Sequence, residues 1–141
     1  MEPVRILIVD DFEPWRRAVR AILDNDSEFE VVGECANGSE AVQKSGELQP
    51  DLVLLDIQLP VMNGFVAAQR ISEISPDTKV LFLSAHRSID VVREALRIGG
   101  GLVLKADASR DLLPVVRAVI RNEPSIRFKL LDSDSRNSDE M

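Results

Sequence analysis

Five polar residues lie at the ends of short apolar runs, and together they could bind a cation and take part in phosphoryl transfer. They are Asp10, Asp11, Asp56, Ser84 and Lys105. The sharpest case is LVLLDIQLP at 52–60, where an almost wholly apolar run ends on one carboxylate, Asp56. Burying an unpaired carboxylate costs several kcal/mol, so Asp56 must either emerge at the end of this run or meet a partner.

Taken singly, each of these residues also has an ordinary structural explanation. Asp11 could cap a first helix, and Asp56 could cap the turn after its own run. Ser84 could be a turn residue, and Lys105 could be a solvated loop lysine. Their common position at predicted strand ends favours a shared site instead, because the carboxyl ends of parallel strands meet at one edge of an open sheet.

The chemistry of the shared site follows from its charges. Carboxylates about 4 Å apart repel by about 4 kcal/mol per pair at an effective dielectric constant near 20, so the cluster needs a cation. Oxygen ligands without histidine or cysteine favour a hard divalent ion, above all Mg²⁺. A cation, a hydroxyl and a lysine around one carboxylate suit phosphoryl transfer, in which positioning and electrostatics supply the catalysis. Asp56 is then the nucleophile that forms an aspartyl phosphate.

The elements that position these residues are predicted from hydrophobic patterning. Five β-rich runs alternate with segments of helical period, which predicts βα units around a parallel sheet. The runs cover 4–9, 29–35, 52–55, 79–83 and 102–104. The first, third and fourth are almost continuously apolar, as central strands are, whereas FEVVGEC at 29–35 includes charge and indicates an edge strand.

One helix is predicted by a one-sided apolar stripe that follows the first strand, with Pro14 near its first turn. The stripe consists of Trp15, Ala18, Val19, Ile22 and Leu23. Further helices are predicted at 39–45, 64–74, 88–98 and 110–121, with Ser88 and Ser109 as N-caps and Gly99 as a C-terminal stop. Pro114 lies inside the last segment, so that helix must start late or bend.

Bulk composition narrows the class of protein. The 141 residues suit one domain, and the composition, 45% hydrophobic and 29% charged, is that of a globular protein. No apolar run approaches the ~20 residues of a membrane span, and MEPVRILIVDD lacks a cleavage site, so we expect a cytoplasmic protein without contact with a membrane. A net charge of −7 disfavours nucleic acid as a direct partner. Cys35 is the single cysteine, which excludes an internal disulfide and favours a buried thiol.

The C-terminal part of the chain differs from the rest. Residues 1–122 form the expected domain, and 123–141 form an extension with one apolar cluster at 126–131. The acidic tail at 132–141 lacks material for a core and is expected to be disordered. Roughly twenty residues are too few for a helix-turn-helix or homeodomain module.

Four motifs together identify a family: VDD at 9–11, LLDIQLPVMNG at 54–64, LSA at 83–85 and LKAD at 104–107. Over about residues 3–122 the chain resembles the receiver domain of bacterial two-component response regulators, in a single-domain form. The resemblance implies an α/β fold, a doubly wound five-stranded parallel sheet of order 2-1-3-4-5 in a flavodoxin-like three-layer α/β/α arrangement. It also implies phosphotransfer from the phosphohistidine of a sensor histidine kinase to Asp56.

The resemblance assigns metal ligands by position. Asp11 and Asp56 are similar to the direct Mg²⁺ ligands of the family, and Asp10 is similar to the ligand that acts through water. Gln58 matches the position whose backbone carbonyl binds the ion.

Other positions match residues that handle the phosphoryl group. Ser84 and Lys105 resemble the hydroxyl and the ammonium that hold its oxygens, and Ser84 would shift toward it to switch the face of helix four and strand five. Gln58 and His86 occupy the two positions that tune the lifetime of the phosphate. On its own, His86 would be an ordinary surface histidine.

The chain departs from the family pattern before the fifth strand. It reads GGGLVLK at 99–105, one residue shorter than the usual segment, with Leu102 in place of the switching aromatic residue. Consecutive glycines are costly to order, so we expect a mobile connection here and a weak response of the helix-four face.

Competing functions remain open at this point. A pseudo-receiver would be a docking module that is not productively phosphorylated. A metal-dependent phosphatase with an aspartyl nucleophile would need a second acid two residues later, where this chain has Gln58. A dinucleotide-binding domain is disfavoured because VDDFEP follows the first strand where a glycine-rich loop is required.

The leading expectation is a phosphoacceptor switch that catalyses only its own phosphorylation and dephosphorylation. Its partners would be a sensor kinase and an unknown downstream protein, and it would be a monomer or a phosphorylation-dependent dimer.

Overall fold

A computed structural model describes residues 2–98 and 100–123 of the chain. Its five strands are β1 Val4–Val9, β2 Phe29–Cys35, β3 Leu52–Asp56, β4 Lys79–Ser84 and β5 Gly101–Leu104. They form one parallel sheet in the order β2-β1-β3-β4-β5. The predicted sheet and its strand order are therefore confirmed.

Helices cover both faces of this sheet. They are α1 Glu13–Asp24, α2 Gly38–Leu48, α3 Gly64–Ile74, α4 Ile89–Ile98 and α5 Ala108–Ile120, with a 3-10 turn at Lys105–Asp107 before α5. One core cluster joins α1 and α5 to alternate strand residues such as Ile8 and Leu54, and a second joins α2, α3 and α4 to their neighbours such as Val9 and Leu55. The central strands carry apolar side chains on both faces because helices cover the sheet on both sides. This is the predicted three-layer arrangement.

The edge strand β2 differs from the central strands as its composition predicts. It pairs with β1 alone, and the pairing register shifts between Ile6 and Leu7. Glu30 on β2 is exposed, and Glu34 binds Arg16 and Arg20 of α1. Charge and an irregular register are therefore concentrated at this edge of the sheet.

Helix α2 is longer than predicted at both ends. Asn37 caps it, because its Oδ1 accepts a hydrogen bond from the Glu40 N–H at 2.9 Å while the Glu40 carboxylate accepts one from the Asn37 side chain. Gly46 does not end the helix. A Cβ at Gly46 would lie 3.2 Å from Cδ1 of Ile74, so this glycine allows α2 to approach α3 closely.

Helix α5 starts earlier than predicted, and Ser109 is not its N-cap. The N-cap position belongs to Asp107, which makes no side-chain cap hydrogen bond, and Ser109 lies inside the helix. Pro114 also lies inside, so of the two predicted alternatives the late start is wrong. Its ring is on the exposed side, whereas Leu112 and Val116 are buried, and their burial outweighs the backbone hydrogen bond that proline lacks.

Helix α4 agrees with its predicted limits to within one residue. Ser88 directly precedes it, as an N-cap would, and it ends at Ile98. The predicted stop at Gly99 lies outside the described residues. Beyond it, the Gly100 N–H donates a hydrogen bond to the Ala95 carbonyl at 3.1 Å, which closes the end of the helix.

The glycines before β5 fit tightly against β4. A Cβ at Gly100 would lie 2.9 Å from the Phe82 ring and from the Val80 carbonyl oxygen. Leu102, in the next part of the strand, is 1% exposed and belongs to the core cluster under α4. Close packing therefore requires glycine at Gly100, and the mobility expected of this segment stays a prediction.

Two further expectations concern the whole chain. Within the described part, no helix is both long enough and apolar enough to cross a membrane. The extension predicted at 123–141, including the tail at 132–141, lies outside the described residues apart from Glu123.

Candidate phosphoryl and metal site

The carboxyl ends of the strands bring the predicted acidic residues together. Asp10 and Asp11 follow β1, Asp56 ends β3, and each offers a carboxylate oxygen within 4.8 Å of the others. Lys105 follows β5 and reaches this cluster. For these four residues the structure therefore shows the expected convergence at one sheet edge.

Asp10 is the most buried member, with 0% of its surface exposed. Its Oδ2 accepts a hydrogen bond from Nζ of Lys105 at 2.5 Å, and its Oδ1 accepts one from the Phe12 N–H at 2.9 Å. Arg16 donates to its backbone carbonyl at 2.6 Å. Both carboxylate oxygens and the main chain of Asp10 are thus held in place.

Asp56 is 4% exposed, and its two carboxylate hydrogen bonds are longer than those of Asp10. Its Oδ1 accepts from the Gln58 N–H at 3.2 Å and its Oδ2 from Nζ of Lys105 at 3.4 Å. Burial raises the pKa of Asp56 to about 6, Lys105 opposes that rise, and the Asp10 carboxylate adds to it. Each Asp56 carboxylate oxygen accepts one protein hydrogen bond and so has room for a further partner.

Asp11 is exposed and does not cap the first helix. Helix α1 begins at Glu13 after Phe12, whose side chain makes no cap hydrogen bond either. The capping explanation for Asp11 is therefore wrong. Its carboxylate belongs to the acidic cluster, on the side open to solvent.

The cluster carries the charge that a divalent cation would balance. Three carboxylates contribute −3 and Lys105 contributes +1, which leaves −2 when all four groups are ionised. The available donors are oxygens, and two of the three carboxylates are buried, so their mutual repulsion is poorly screened by water. These residues therefore fit a hard divalent ion such as Mg²⁺.

Lys105 is not a solvated loop lysine. Its side chain is 20% exposed, and its Nζ bridges Asp10 and Asp56. Nζ also lies 5.2 Å from the centroid of the Trp15 ring, within the range of a cation–π contact. Two carboxylates and one aromatic face thus surround the ammonium.

Ser84 lies at the end of β4, is 4% exposed, and is occupied by its own turn. Its hydroxyl donates to the His86 carbonyl at 2.8 Å and accepts from the His86 N–H at 3.1 Å. This is the arrangement expected of a turn residue. The side chains of His86 and Gln58 are exposed beside the site.

The loop after Asp56 is fixed by contacts between backbone groups. The Gly64 N–H donates to the Ile57 carbonyl at 2.8 Å, and a Cβ at Gly64 would lie only 2.4 Å from the Asp56 carbonyl oxygen. Val61 has φ of 72°, and the Met62 N–H donates to the Pro60 carbonyl across it. Glycine at Gly64 is thus required for the loop to approach the backbone of Asp56 and Ile57 this closely.

Three contributors were not predicted from the sequence. The sequence predicts Trp15 only for the apolar stripe of α1 and no role for Arg16, while Gly64 belongs to a motif and to the start of a predicted helix. The one signal available was position, since Trp15 and Arg16 lie about one helical turn beyond Asp11.

A separate cavity of about 650 Å³ lies at the opposite end of the sheet. Its lining comes from the ends of α3, α4 and α5 and the starts of β4 and β5, including Thr78, Lys79 and Gly101. None of the clustered aspartates lines it. The candidate site is therefore the open acidic edge and not this cavity.

Comparison with known proteins connects this geometry to a family. The model of the response regulator receiver domain matches residues 6–117. The response regulator protein VraR of Staphylococcus aureus is 37% identical over 121 residues, which cover 85% of this chain and 58% of that protein. The chain spans about three fifths of the length of the curated relatives it matches.

Solved structures show the same likeness. The signal receiver domain of the response regulator NarL from Mycobacterium tuberculosis is 30% identical with a TM-score of 0.80, covering 86% of this chain and 98% of that one. A chain of the CheX–CheY complex with BeF3 and Mg²⁺ from Borrelia burgdorferi is 28% identical with a TM-score of 0.77, covering 83% and 89%. The fold is thus shared with the receiver domain of a response regulator and with a chain of this signalling complex.

Proposed function

The chain belongs to the response regulator receiver domain family, and from that premise we propose that Asp56 accepts a phosphoryl group from the phosphohistidine of a sensor histidine kinase. Receiver domains are signal-transduction switches. The observation that carries the proposal is the buried Asp56 carboxylate beside Asp10, Asp11 and Lys105. We further propose that the receiver domain extends over residues 1–122.

The same cluster supports Mg²⁺ as the cofactor. We propose that Asp11 and Asp56 bind it directly, Asp10 through water, and Gln58 through its backbone carbonyl. When bound, Mg²⁺ would neutralise the clustered carboxylates and reduce the charge that develops on the phosphoryl oxygens. The matching complex from Borrelia burgdorferi, which contains Mg²⁺ and BeF3, is consistent with this assignment.

The phosphoryl step requires an ionised Asp56. A pKa of about 6 leaves it mostly ionised at pH 7, and a carboxylate oxygen attacks phosphorus as the P–N bond to the donor imidazole breaks. The imidazole leaves with the bonding electron pair and takes up a proton. Lys105, 3.4 Å from Asp56, stabilises the charge on the transferred oxygens. Ser84 reaches the phosphoryl group by leaving its hydrogen bonds to His86.

The outcome of phosphorylation is a change in protein contacts and not turnover of an external substrate. The protein catalyses its own phosphorylation and dephosphorylation, and its partners are the kinase and a downstream protein. The acidic net charge of −7 argues against direct contact of this chain with nucleic acid. A cytoplasmic location is proposed with this role.

Intact-mass spectrometry after incubation with acetyl phosphate and Mg²⁺ tests the proposal. The wild-type chain is expected to gain one phosphoryl group, which a chelator prevents and Asp56→Asn abolishes. Asp24→Asn, at an exposed position that ends α1, is the matched control and should be phosphorylated normally. Absence of any mass gain in the wild type would favour the alternative, a docking module that is not productively phosphorylated.

A further inference from the structure

We propose that Trp15 is a positioning residue that holds the ammonium of Lys105 over the acidic cluster through the face of its indole ring. The inference rests on the proposed function, since Lys105 acts there on the phosphoryl oxygens. It assigns to the first helix a direct contact with the group that stabilises the phosphoryl charge.

The contact is defined by the distances around Lys105. Nζ lies 2.5 Å from Oδ2 of Asp10, 3.4 Å from Oδ2 of Asp56 and 5.2 Å from the Trp15 ring centroid. An ammonium carries three protons, and an aromatic face within about 6 Å attracts the cation electrostatically. The ring therefore supplies a third, uncharged neighbour beside the two carboxylates.

That third neighbour matters when the carboxylates are engaged elsewhere. If Asp10 and Asp56 serve a divalent cation, their attraction for Lys105 falls because the same oxygens are then neutralised. The indole face has no oxygen to offer a metal ion, so its attraction for the ammonium does not change. Trp15 would thus keep Lys105 within reach of Asp56 when the phosphoryl group arrives.

Packing alone does not account for tryptophan at this position. The ring lies against the core cluster between α1 and α5, yet its Nε1 is buried and has no hydrogen-bond partner among the described residues. A buried unpaired N–H is unfavourable, and leucine would fill the same apolar contact without one. The indole face is what leucine could not supply.

NMR tests the contact directly, without phosphorylation. The chain has four lysines, so labelling the lysine Cε positions gives few signals, and Lys105→Arg identifies the one that matters. Protons above an aromatic ring are shielded, so the Lys105 Cε protons are expected upfield of those of the other lysines. In Trp15→Leu and Trp15→Met they should move to the common position, and in Trp15→Phe they should stay partly shifted.

Rates of phosphorylation test whether Trp15 positions Lys105 for its action on the phosphoryl group. Acetyl phosphate is the donor, so the rate does not depend on binding of a kinase. We expect Trp15→Leu and Trp15→Met to be phosphorylated about 3- to 10-fold more slowly than wild type, and Trp15→Phe to remain within about threefold. Unfolding midpoints identify the variants that keep the fold. If either Trp15→Leu or Trp15→Met is unstable, the other still allows the rates to be compared.

The results separate this inference from the proposed function. Unshifted Lys105 protons in the wild type, or equal rates in the folded non-aromatic variants and the wild type, would overturn the role of Trp15 while leaving Asp56 as phosphoacceptor. A slower rate in Trp15→Phe equal to that of Trp15→Leu would also overturn it, because the aromatic face would then be irrelevant. If wild type took up no phosphoryl group, both the proposed function and the positioning role would fail.

Discussion

Asp10 and Asp56 are two buried carboxylates that share the single ammonium of Lys105. The sharing is unequal, with distances of 2.5 Å and 3.4 Å, and burial raises the pKa of Asp56. At the residue scale the site is thus under electrostatic stress that either a cation or a proton relieves. Two predictions follow from this environment.

Asp56→Asn should stabilise the metal-free protein at neutral pH. Because the pKa of Asp56 is raised from 3.8 to about 6, the folded state holds this proton more tightly than the unfolded chain. The free energy of unfolding therefore falls as pH rises through that interval and stays lower above it. We expect the variant to gain about 1 to 3 kcal/mol at pH 7 and little at pH 4, measured by urea denaturation in a chelator. A gain that grew as pH fell would contradict the direction of the shift.

Lys105→Ala should keep the fold in Mg²⁺ but lose stability without it. Removing the ammonium leaves the buried carboxylates of Asp10 and Asp56 unpaired, which costs about 1 to 3 kcal/mol. Denaturation with and without Mg²⁺ measures this loss, with Lys44→Ala on α2 as control. The phosphorylated variant should also fail to switch, and NMR shifts like those of wild type on adding a phosphate mimic would contradict that role.

The sequence predicted which residues would meet but not how each would be held. Their positions at strand ends and their charges were enough to predict that Asp10, Asp11, Asp56 and Lys105 lie together. The contact of Lys105 with Trp15 depends on where α1 packs across the sheet, and no spacing rule within one element contains that information. In the same way, the turn contacts of Ser84 depend on the backbone path after β4.

At the scale of elements, the connection from β3 to α3 is tightly constrained beside the site. Its path depends on the close approach of Gly64 to the backbone of Asp56 and Ile57. The sequence motif contains this glycine, but only the coordinates show which atoms a side chain would meet.

Gly64→Ala should displace this connection and lower stability. Its Cβ would lie 2.4 Å from the Asp56 carbonyl oxygen and 2.7 Å from Cα of Ile57, and backbone atoms cannot move aside cheaply. We expect a loss of about 1 to 3 kcal/mol together with weaker Mg²⁺ binding, measured by denaturation and calorimetry. Gly46→Ala is the matched control, since its Cβ would meet only the end of the Ile74 side chain. Equal effects of the two substitutions would refute the close-approach argument.

Pro114→Ala should stabilise α5. Pro114 lies inside the helix on its exposed side, so alanine restores a backbone hydrogen bond and loses little packing. We expect a gain of about 1 to 3 kcal/mol in the free energy of unfolding, seen as a higher melting temperature. Ser109→Ala, also exposed in α5, should change stability by less than about 1 kcal/mol. A destabilised Pro114→Ala protein would show that the helix depends on the proline.

Element types were predictable because periodicity reports burial directly. The central strands were recognised by continuous apolar runs, and α1 by its stripe. Helix ends were less predictable because Gly46 and Pro114 act against local helix formation, and tertiary packing overrides them.

At the scale of the whole molecule, a change at Asp56 would have to reach the α4 face across β4 and β5, which follow β3 in the sheet. Leu102 is buried there, at the position where the family resemblance implies an aromatic residue, and Gly100 packs against Phe82. Unlike Ser84 at the end of β4, the Leu102 side chain offers no hydroxyl for a hydrogen bond.

The α4 face should therefore respond weakly to a phosphate mimic. On titration with beryllofluoride and Mg²⁺, amide NMR shifts should be large around Asp56 and small across residues 88–104. Leu102→Tyr restores an aromatic residue and should increase the response, provided that the variant keeps the wild-type melting temperature within a few degrees. Large, saturable shifts across 88–104 in the wild type would contradict the prediction.

The two outer strands of the described sheet bear on how copies of the domain could associate. β2 has an irregular register and carries Glu30 and Glu34, and β5 has only four residues. A strand that is charged, kinked or short is a poor template for intermolecular backbone pairing. Self-association of this domain is therefore expected to use helix or loop surfaces, which would leave its backbone ladder intact.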